Sequence, residues 1–223
     1  MKITISKENY LKTIAEAESE GETVIAATLA RWLKVSAPAV TMAIRRLKRD
    51  ELIRVAGEGQ ITLTRSGRAI ANRLLNRHHL IERMLTEIFG MEWYKVHDEA
   101  EQLEHAVSAD FENKLRERLG DDGACPHGNR VGVDSPQDRR RRGWKRLDEG
   151  EIEECLDVVS VFERDRRLLE HLDRLDVRPG SRICITAAGR KALTVEVAGR
   201  SVQIEKPAAE RIWVRPMTSS TSR

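Results

Sequence analysis

The sequence predicts a mainly α-helical protein with a small share of β structure, in which a helical N-terminal half precedes a short β domain. Apolar residues recur at helical spacing through most of the first 120 residues. Two short alternating stretches, Ile53–Val55 and Ile61–Leu63, interrupt the helices. Beyond residue 151, a helix near Arg166–Leu172 and alternating stretches split by glycines predict a small β-barrel-like domain, with strands at Ile183–Ile185, Leu193–Val197 and Val202–Ile204.

The first 64 residues have the element order of a winged helix-turn-helix. Helices are predicted over residues 6–17, 24–32 and 36–50, beginning at Ser6, Thr23 and Ser36. A tight turn at Lys34-Val35 separates the second helix from the third. Pro38 lies in the first turn of the third helix, where its missing N–H costs little. The two strands then form a hairpin with its tip at residues 57–59.

The third helix is the candidate DNA-binding element. In a helix-turn-helix the second helix of the motif enters the major groove with its N-terminal residues at the base edges. The residues there are small or apolar and suit contacts with thymine methyl groups: Ser36, Ala37, Pro38, Ala39, Thr41 and Met42. Basic residues follow, with phosphates as expected partners: Arg45, Arg46, Lys48 and Arg49. The alternative is a winged helix used for protein contacts.

Charge is unevenly distributed along the chain. Residues 1–75 carry 13 Lys/Arg and 8 Asp/Glu, residues 76–125 carry 6 and 12, and residues 126–223 carry 20 and 16. A basic front and an acidic middle are typical of a nucleic-acid binder joined to a cation binder, although chance segregation of surface charge is the alternative. The run Arg139–Arg142 is interpreted as a solvated tether or, alternatively, as an extension of the DNA footprint.

Several classes of protein are disfavoured by the composition. No apolar run approaches the ~20 residues that span a bilayer. The N-terminus lacks the apolar core of a signal peptide. The few, widely spaced cysteines favour a reducing compartment over a disulfide framework: Cys125, Cys155 and Cys184. We therefore expect a cytoplasmic protein with no membrane partner.

Long helices are predicted for the middle of the chain, from Thr64 to about Gly90, over residues 92–107, and from Ser108 to Gly120. The apolar stripes on these helices are larger than one helix can bury by itself, which suggests that they pack against a partner surface. On the first helix the stripe consists of Leu74, Leu80, Ile81, Met84, Leu85 and Ile88. Residues 121–150 lose this periodicity and are interpreted as a linker.

A set of potential metal ligands lies in this same region. Along the predicted helix 92–107, four of them fall within an arc of roughly 100°: His97, Glu101, Glu104 and His105. The preceding helix carries His78 and Glu82 four residues apart, and a loop offers Cys125-Pro126-His127. Each fragment alone has a simpler explanation, such as a helix-surface pair or an inert thiol. Their joint occurrence behind a winged helix predicts a divalent cation bound by oxygen-rich ligands.

These motifs resemble those of the diphtheria-toxin-repressor and manganese-transport-regulator family. The matching stretches are ENYLKTI, SAPAVTMAIRRLKRDELI, RHHLIERML, KVHDEAEQLEHAVS and CPHGN. The resemblance implies a homodimer that represses transcription from a palindromic double-stranded DNA operator, with Mn²⁺ or Fe²⁺ as co-repressor and Zn²⁺, Co²⁺ or Cd²⁺ as substitutes in vitro. It also implies a winged helix-turn-helix domain over residues 1–72, a helical dimerisation and metal-binding domain over 73–140, a linker over 141–150, an SH3-like (FeoA-like) domain over 151–216 and a disordered tail over 217–223.

The resemblance also implies two ligand sets. The regulatory set would be Asn9, Glu101, Glu104 and His105. The second set would be His78, Glu82 and His97, joined by Cys125, His127 and an acidic residue of the C-terminal domain, either Glu163 or Asp165. Glu101 stands where iron-type members have a thiol and favours manganese, whereas Asn9 and Lys12 depart from the manganese pattern of aspartate and glutamate.

Two other functions are alternatives. One is a DNA-binding activator with a purely structural zinc at Cys125 and His127. The other is a carboxylate-bridged metal enzyme, which requires Glu-x-x-His pairs. Residue 102, three before His105, is Gln, so that pair is missing and the protein is not expected to be an enzyme.

Overall fold

The computed structural model, which describes residues 3–120, 123–132 and 135–217, begins with the predicted order of three helices and a two-stranded wing. These elements are α1 (Ile5–Ser19), α2 (Ala26–Leu33), α3 (Ala37–Arg49), β1 (Ile53–Val55) and β2 (Ile61–Leu63). The strands pair antiparallel with Ile53 opposite Leu63. On α3, Val40 and Leu47 are fully buried against α1 and its neighbours, so the opposite face of this helix remains free.

Two helix starts differ from the prediction. Thr4, rather than Ser6, caps α1, because its hydroxyl accepts a hydrogen bond from the Lys7 N–H at 3.4 Å. The second helix begins at Ala26 rather than near residue 24, because the Thr28 hydroxyl donates back to the carbonyl of Thr23 at 3.0 Å. The third start is confirmed, since Ser36 caps α3.

The middle of the chain consists of helices α4 (Arg65–Arg83), α5 (Val96–Leu103) and α6 (Ala109–Leu119). A π-helical turn, Met84–Ile88, extends α4 toward Gly90. The predicted helix over residues 92–107 was too long. Its first turn is lost because Trp93 is buried in the C-terminal core and donates its indole N–H to Asp173 at 2.6 Å.

Most of the apolar stripe on α4 is covered within the protomer. One cluster joins that stripe to α5 and α6: Leu80, Ile81, Met84, Leu85, Val96, Ala100 and Leu115. Most of the partner surface that the stripe suggested is therefore supplied within the protomer by α5 and α6. Ile88 and its neighbour Phe89 remain 49% and 69% exposed.

The C-terminal region is built on one antiparallel sheet with strand order β3-β8-β4-β5-β6-β7. Its elements are α7 (Pro136–Arg141), β3 (Lys145–Arg146), a 3₁₀ turn (Leu147–Glu149), β4 (Cys155–Val161), α8 (Arg166–Arg174), β5 (Arg182–Ala188), β6 (Ala192–Val197), β7 (Arg200–Glu205), α9 (Lys206–Ala209) and β8 (Ile212–Pro216). Leu168, Leu169 and Leu172 of α8 pack on the sheet. The predicted helix and strands are confirmed, while β4 and β8 were not predicted.

The segment predicted as a linker takes part in this architecture. Residues 141–150 include β3, which pairs with β8. In the basic run, Arg139 is only 1% exposed, lies 3.4 Å from Glu20 and stacks over the ring of Trp213. The interpretation of the run as a solvated tether was wrong for Arg139, because α1 and β8 together bury its guanidinium.

The expectation of reduced cysteines was wrong for one pair. Cys155 on β4 and Cys184 on β5 stand directly opposite each other and form a disulfide. Linear spacing could not reveal this pairing, because β4 was not recognised as a strand. Cys125 is buried and free. The tail was predicted over residues 217–223, and its residues after Met217 lie outside the described part of the chain. In the part of the chain that is described, no helix is both long and apolar enough to cross a membrane.

Candidate metal centre and DNA-binding helix

The potential ligands converge where α1, α4 and α5 meet the loop that contains Cys125 and the end of β4. At one side of this region, Asn9 of α1 accepts a hydrogen bond through Oδ1 from His105 Nε2 at 2.7 Å. Glu104 is 2% exposed, and its Oε1 lies 3.5 Å from the same nitrogen. Glu101 lies one turn before Glu104 on α5, and its side chain is 40% exposed. Three of the four predicted regulatory residues are therefore in direct contact, and α1 is joined to the end of α5.

Lys12 enters this cluster from α1, one turn after Asn9. It is 3% exposed, and its ammonium donates to Glu104 Oε2 at 2.7 Å. His78 Nδ1 lies 3.0 Å from the same ammonium. Burial by itself lowers the pKa of Lys12, but the nearby carboxylates, led by Glu16 and Glu104, outweigh burial and raise it. Lys12 is thus a charged member of the cluster.

The second predicted set forms two groups that share Glu82. In the first, Glu82 Oε1 lies 3.1 Å from His78 Nε2 and 3.2 Å from His97 Nδ1. In the second, atoms within 4.8 Å of one another come from His79, Glu82, Cys125 and Glu163. His127 lies between them, with Nδ1 3.4 Å from Glu82 and 3.6 Å from Glu163. All of these side chains are buried.

The choice between the two acidic candidates of the C-terminal domain follows from their surroundings. Glu163 lies 3.3 Å from Cys125 Sγ and accepts a hydrogen bond from Asn129 at 2.6 Å. Asp165 instead caps α8, where its carboxylate accepts from the Leu168 N–H. The structure thus brings Glu163, and not Asp165, to the other candidate ligands.

The second set shifts several pKa values. Burial and the Lys12 ammonium lower the pKa of His78, but Glu82 and Glu104 outweigh them and raise it to about 9. Burial and Glu82 raise the pKa of Glu163, but the surrounding imidazoles, led by His79 and His97, bring it to about 2. Burial, with the charges of Glu163 and Glu82, raises the pKa of the Cys125 thiol well above its usual range. Without a cation, the thiol and His78 therefore retain protons.

The donor atoms fit a divalent cation. Among the described residues, Glu82 Oε2 and His97 Nε2 are buried and make no hydrogen bond, which is uncommon for buried polar atoms. His127 Nε2 lies 2.9 Å from the carbonyl of Trp93, so this nitrogen is the donor and Nδ1 is the nitrogen that faces Glu82 and Glu163 and would bind a cation. Orientation of a ligand imidazole by a backbone carbonyl is usual in metal sites.

Two members of the centre were missed by sequence reasoning. His79 directly follows His78 on α4 and so points elsewhere, and only the packing of the C-terminal domain brings Glu163 to within 4.0 Å of it. Lys12 was noted as a departure from a ligand pattern, not as a buried partner of Glu104. The adjacent pair of histidines was the one signal available for His79.

The recognition surface of α3 has the predicted exposure. The N-terminal residues are exposed from Ser36 to Ala39, as are Thr41 and Met42. The basic residues near its C-terminal end are also exposed: Arg45, Arg46, Lys48 and Arg49. Buried Val40 and Leu47 fix the opposite face. The free face of α3 thus combines small side chains at one end with positive charge at the other.

Comparison with known proteins is consistent with this arrangement. Three family models match in succession: the iron dependent repressor N-terminal DNA binding domain at residues 2–60, the iron dependent repressor metal binding and dimerisation domain at residues 64–131, and the FeoA domain at residues 145–216. The fold class predicted from the sequence is confirmed.

Individual relatives match over most of the chain. The diphtheria toxin repressor of Corynebacterium jeikeium is 30% identical over an alignment of 230 positions that covers 89% of this chain and 96% of that protein. The iron-dependent repressor IdeR of Mycobacterium tuberculosis is 40% identical over 124 residues, 56% of this chain and 54% of the relative. The structure of a manganese-dependent transcriptional repressor in complex with manganese superposes with a TM-score of 0.83 at 30% identity, covering 95% of this chain and all of the other.

Proposed function

This chain belongs to the diphtheria-toxin-repressor family of metal-dependent transcriptional repressors, and we propose that it binds a palindromic operator as a cytoplasmic homodimer with Mn²⁺ or Fe²⁺ as co-repressor. One observation carries the proposal: Asn9 of the DNA-binding region contacts His105 of the helical region at 2.7 Å, beside the buried carboxylate of Glu104. A cation bound by these residues together fixes the position of α1 relative to α4 and α5.

The mechanism is a shift in population. Without a bound cation, the winged-helix domains of a dimer sample several positions relative to the helical core. Asn9, Glu101, Glu104 and His105 would hold a divalent cation, which supplies the positive charge that keeps two carboxylates close together. Because these ligands come from both regions, only the ordered arrangement offers all of them, and that difference in affinity drives DNA binding. Two α3 helices then match half-sites separated by whole helical turns.

The donor types support a hard or borderline metal. Asn9, Glu101 and Glu104 offer oxygen and His105 a nitrogen, which suits Mn²⁺ and Fe²⁺. The second set adds the thiol of Cys125 and the imidazoles of three histidines, or four with His79. These donors also suit Zn²⁺, Co²⁺ and Cd²⁺. We propose that the second set, His78, Glu82, His97, Cys125, His127 and Glu163 with His79 added, braces the C-terminal domain against α4.

Dimerisation is proposed for the helical region. Exposed apolar side chains remain there after the protomer has folded: Ile88, Phe89, Leu103 and Phe111. Burial of such side chains between two copies is favourable by about 25 cal/mol per Å² of apolar surface. A symmetric dimer would carry two copies of α3, as a palindromic operator requires.

DNA contacts are proposed for the exposed face of α3. Bases would be contacted from Ser36, Pro38, Ala39, Thr41 and Met42, and phosphates by Arg46 and Arg49. We further propose that the protein catalyses no reaction, because the relatives that it matches over most of its length are transcriptional repressors.

The test is a binding titration on a DNA duplex selected from random sequence by the metal-loaded protein. Fluorescence anisotropy is measured for metal-free protein and with Mn²⁺, with Fe²⁺ under anaerobic conditions, and with Zn²⁺. We expect Mn²⁺ or Fe²⁺ to increase affinity by at least about tenfold, within the usual range of allosteric coupling. Equal affinity in excess chelator would favour the alternative of a purely structural metal.

A further inference from the structure

Lys12 places a fixed positive charge among the proposed metal ligands. Its ammonium lies 2.7 Å from Glu104 Oε2 and 3.0 Å from His78 Nδ1. Glu16 and Glu101 each approach to 3.9 Å. The oxygen and nitrogen atoms that face the ammonium are therefore of the kind that would otherwise face a metal ion.

The two oxygens of Glu104 have different partners. Oε2 contacts Lys12 and His78, whereas Oε1 lies 3.5 Å from His105 Nε2, the nitrogen that also contacts Asn9. A carboxylate can serve two cations through its two oxygens, since each oxygen has its own lone pairs. At Glu104 one of the two positions is already filled by the ammonium, and the other faces His105.

Lys12 also crosses the boundary that Asn9 crosses. Both residues lie on α1, while Glu104 lies at the end of α5 and His78 on α4. The lysine is 3% exposed, so its charge is compensated by the carboxylate of Glu104, with Glu16 and Glu101 nearby, and not by water. Removing one partner of a buried ion pair is strongly destabilising, because the other charge is left uncompensated. The ion pair therefore ties α1 to the helical region in the absence of any metal.

We propose that Lys12 is a built-in cation of the regulatory site, which takes the place of a divalent ion between His78 and Glu104. The inference rests on the proposed function. It limits the regulatory cluster to one ion, held through Asn9, Glu101, His105 and the free oxygen of Glu104. It also gives the metal-free protein part of the order that metal completes, so that the change in DNA affinity on metal binding is smaller than it would be without the lysine.

The test compares wild type with Lys12→Met and Lys12→Arg. In Lys12→Met the uncharged side chain leaves Glu104 Oε2 open, with Glu16 and Glu101 nearby, and we expect one more Mn²⁺ per protomer, counted by native mass spectrometry of the dimer. Lys12→Arg keeps the charge, and we expect the wild-type count. In excess chelator, Lys12→Met should also bind the selected duplex on the order of tenfold more weakly than wild type, as expected for loss of a coupling contact.

Lys7→Met is the matched control. Lys7 lies on the same helix and pairs with Asp50 of the winged helix at 2.6 Å, away from the ligands. Its ion count should equal that of wild type. Equal counts in wild type and Lys12→Met, or an extra ion in Lys12→Arg, would overturn the proposal. This result is separable from the proposed function, which fails only if no divalent ion changes the DNA affinity of the wild type.

Discussion

Glu82 and Glu104 contact opposite nitrogens of the same imidazole ring, that of His78. Glu104 Oε2 lies 2.7 Å from Nδ1, and Glu82 Oε1 lies 3.1 Å from Nε2, with all three side chains buried. One ring thus separates the cluster around Asn9 and His105 from the cluster around Glu163. Since a metal ligand must be unprotonated, the protonation state of His78 affects cation binding on both sides of the ring.

We expect metal binding to release protons and to strengthen as the pH rises. The pKa of His78 is raised to about 9 in the metal-free protein, so both ring nitrogens are protonated and the ring is positively charged at pH 7. This group alone should increase the apparent metal affinity by up to about tenfold per pH unit between pH 7 and 9. Calorimetric titration in two buffers of different ionisation enthalpy measures the number of protons released.

His78→Gln tests the assignment. This variant should release about one proton fewer than wild type at pH 7.5. His171→Gln is the control, because His171 lies on α8 outside both clusters and should leave proton release unchanged. Identical proton release by wild type and His78→Gln would show that another group supplies the proton.

A second prediction concerns Asn9 and His105, whose 2.7 Å contact joins the two regions. Asn9→Ala and His105→Ala should remove most of the metal-induced gain in DNA affinity, because the regulatory cation then loses a ligand from one side of the boundary. They are better probes than Glu104→Ala, which would also leave the buried Lys12 charge without its partner. The readout is anisotropy on the selected duplex with and without Mn²⁺.

Asn113→Ala, an exposed change on α6, is the control and should keep the full metal response. A wild-type response in both Asn9→Ala and His105→Ala would place the regulatory ion elsewhere. Thermal unfolding monitored by circular dichroism, with chelator present, should show that both variants remain folded.

The third prediction tests the ligand set that includes the C-terminal domain. Cys125→Ser and Glu163→Gln should each lower the number of bound ions per protomer by about one. They should also reduce the stabilisation that metal gives, which is roughly 2.7 kcal/mol at a hundredfold excess over the dissociation constant for one ion that prefers the folded chain. Ion counting by mass spectrometry and thermal unfolding with and without Mn²⁺ or Zn²⁺ provide the measurements.

Glu170→Gln is the matched control, since Glu170 lies on α8 and its carboxylate pairs with Arg166 at the surface. An ion count and a metal-induced stabilisation equal to wild type in both cluster variants would leave Cys125 and Glu163 as ordinary buried residues.

The helical framework was predictable because its signals are local. Ser36, the buried spacing of Val40 and Leu47, and the turn before them depend on neighbours within a few residues. The same holds for His97, Glu101 and Glu104, which a helical repeat brings to one side. Where local signals competed with distant contacts, the distant contacts decided: Trp93 shortened α5 because the core of the C-terminal domain takes up its ring.

The centre was only partly predictable because it is assembled from distant segments. His79 and Glu163 are 84 positions apart, and nothing in their own neighbourhoods indicates that they approach to 4.0 Å. Lys12 and Glu104 are separated by 92 positions, and a lysine three residues after Asn9 is normally interpreted as a solvated side chain. The burial of Lys12 and its ion pair with Glu104 both depend on the packing of α1 against α4, which the local sequence does not reveal.

A fourth prediction concerns how Glu163, in the second cluster, makes the stability of the protein depend on pH. The pKa of Glu163 is lowered to about 2 from an ordinary value near 4.5. A carboxyl group whose pKa is depressed by folding contributes stability that is present above the unfolded pKa and is lost as the pH falls toward the folded one. In chelator, the free energy of unfolding of wild type should therefore exceed that of Glu163→Gln most above pH 5, and the difference should shrink as the pH falls toward 2.

Urea unfolding at several pH values measures this difference. Glu117→Gln on the exposed face of α6 serves as the control and should show the pH dependence of wild type. A difference between wild type and Glu163→Gln that stays constant from pH 6 to pH 3 would mean that the surrounding imidazoles do not hold Glu163 ionised.

The last prediction concerns the two ends of α3. Arg46 and Arg49 are exposed at its C-terminal end, whereas Pro38 and Met42 are exposed nearer its start. Each phosphate contact releases condensed counterions, so Arg46→Ala and Arg49→Ala should each reduce the slope of log K against log salt by about 0.9 per lost contact, which is about 1.8 for the two copies in a dimer, and weaken binding to all sequences alike. Pro38→Ala and Met42→Ala should instead change the preference among sequences, because contacts with base edges carry the specificity.

Arg200→Ala is the control for the loss of one charge. Arg200 is about half exposed and pairs with Asp176 in the C-terminal domain, far along the chain from α3. Its salt slope should match that of wild type, since a charge that touches no phosphate displaces no condensed ion. If Arg46→Ala and Arg49→Ala also kept the wild-type slope, neither arginine would contact a phosphate, and the orientation of α3 on DNA would have to place its C-terminal end away from the backbone.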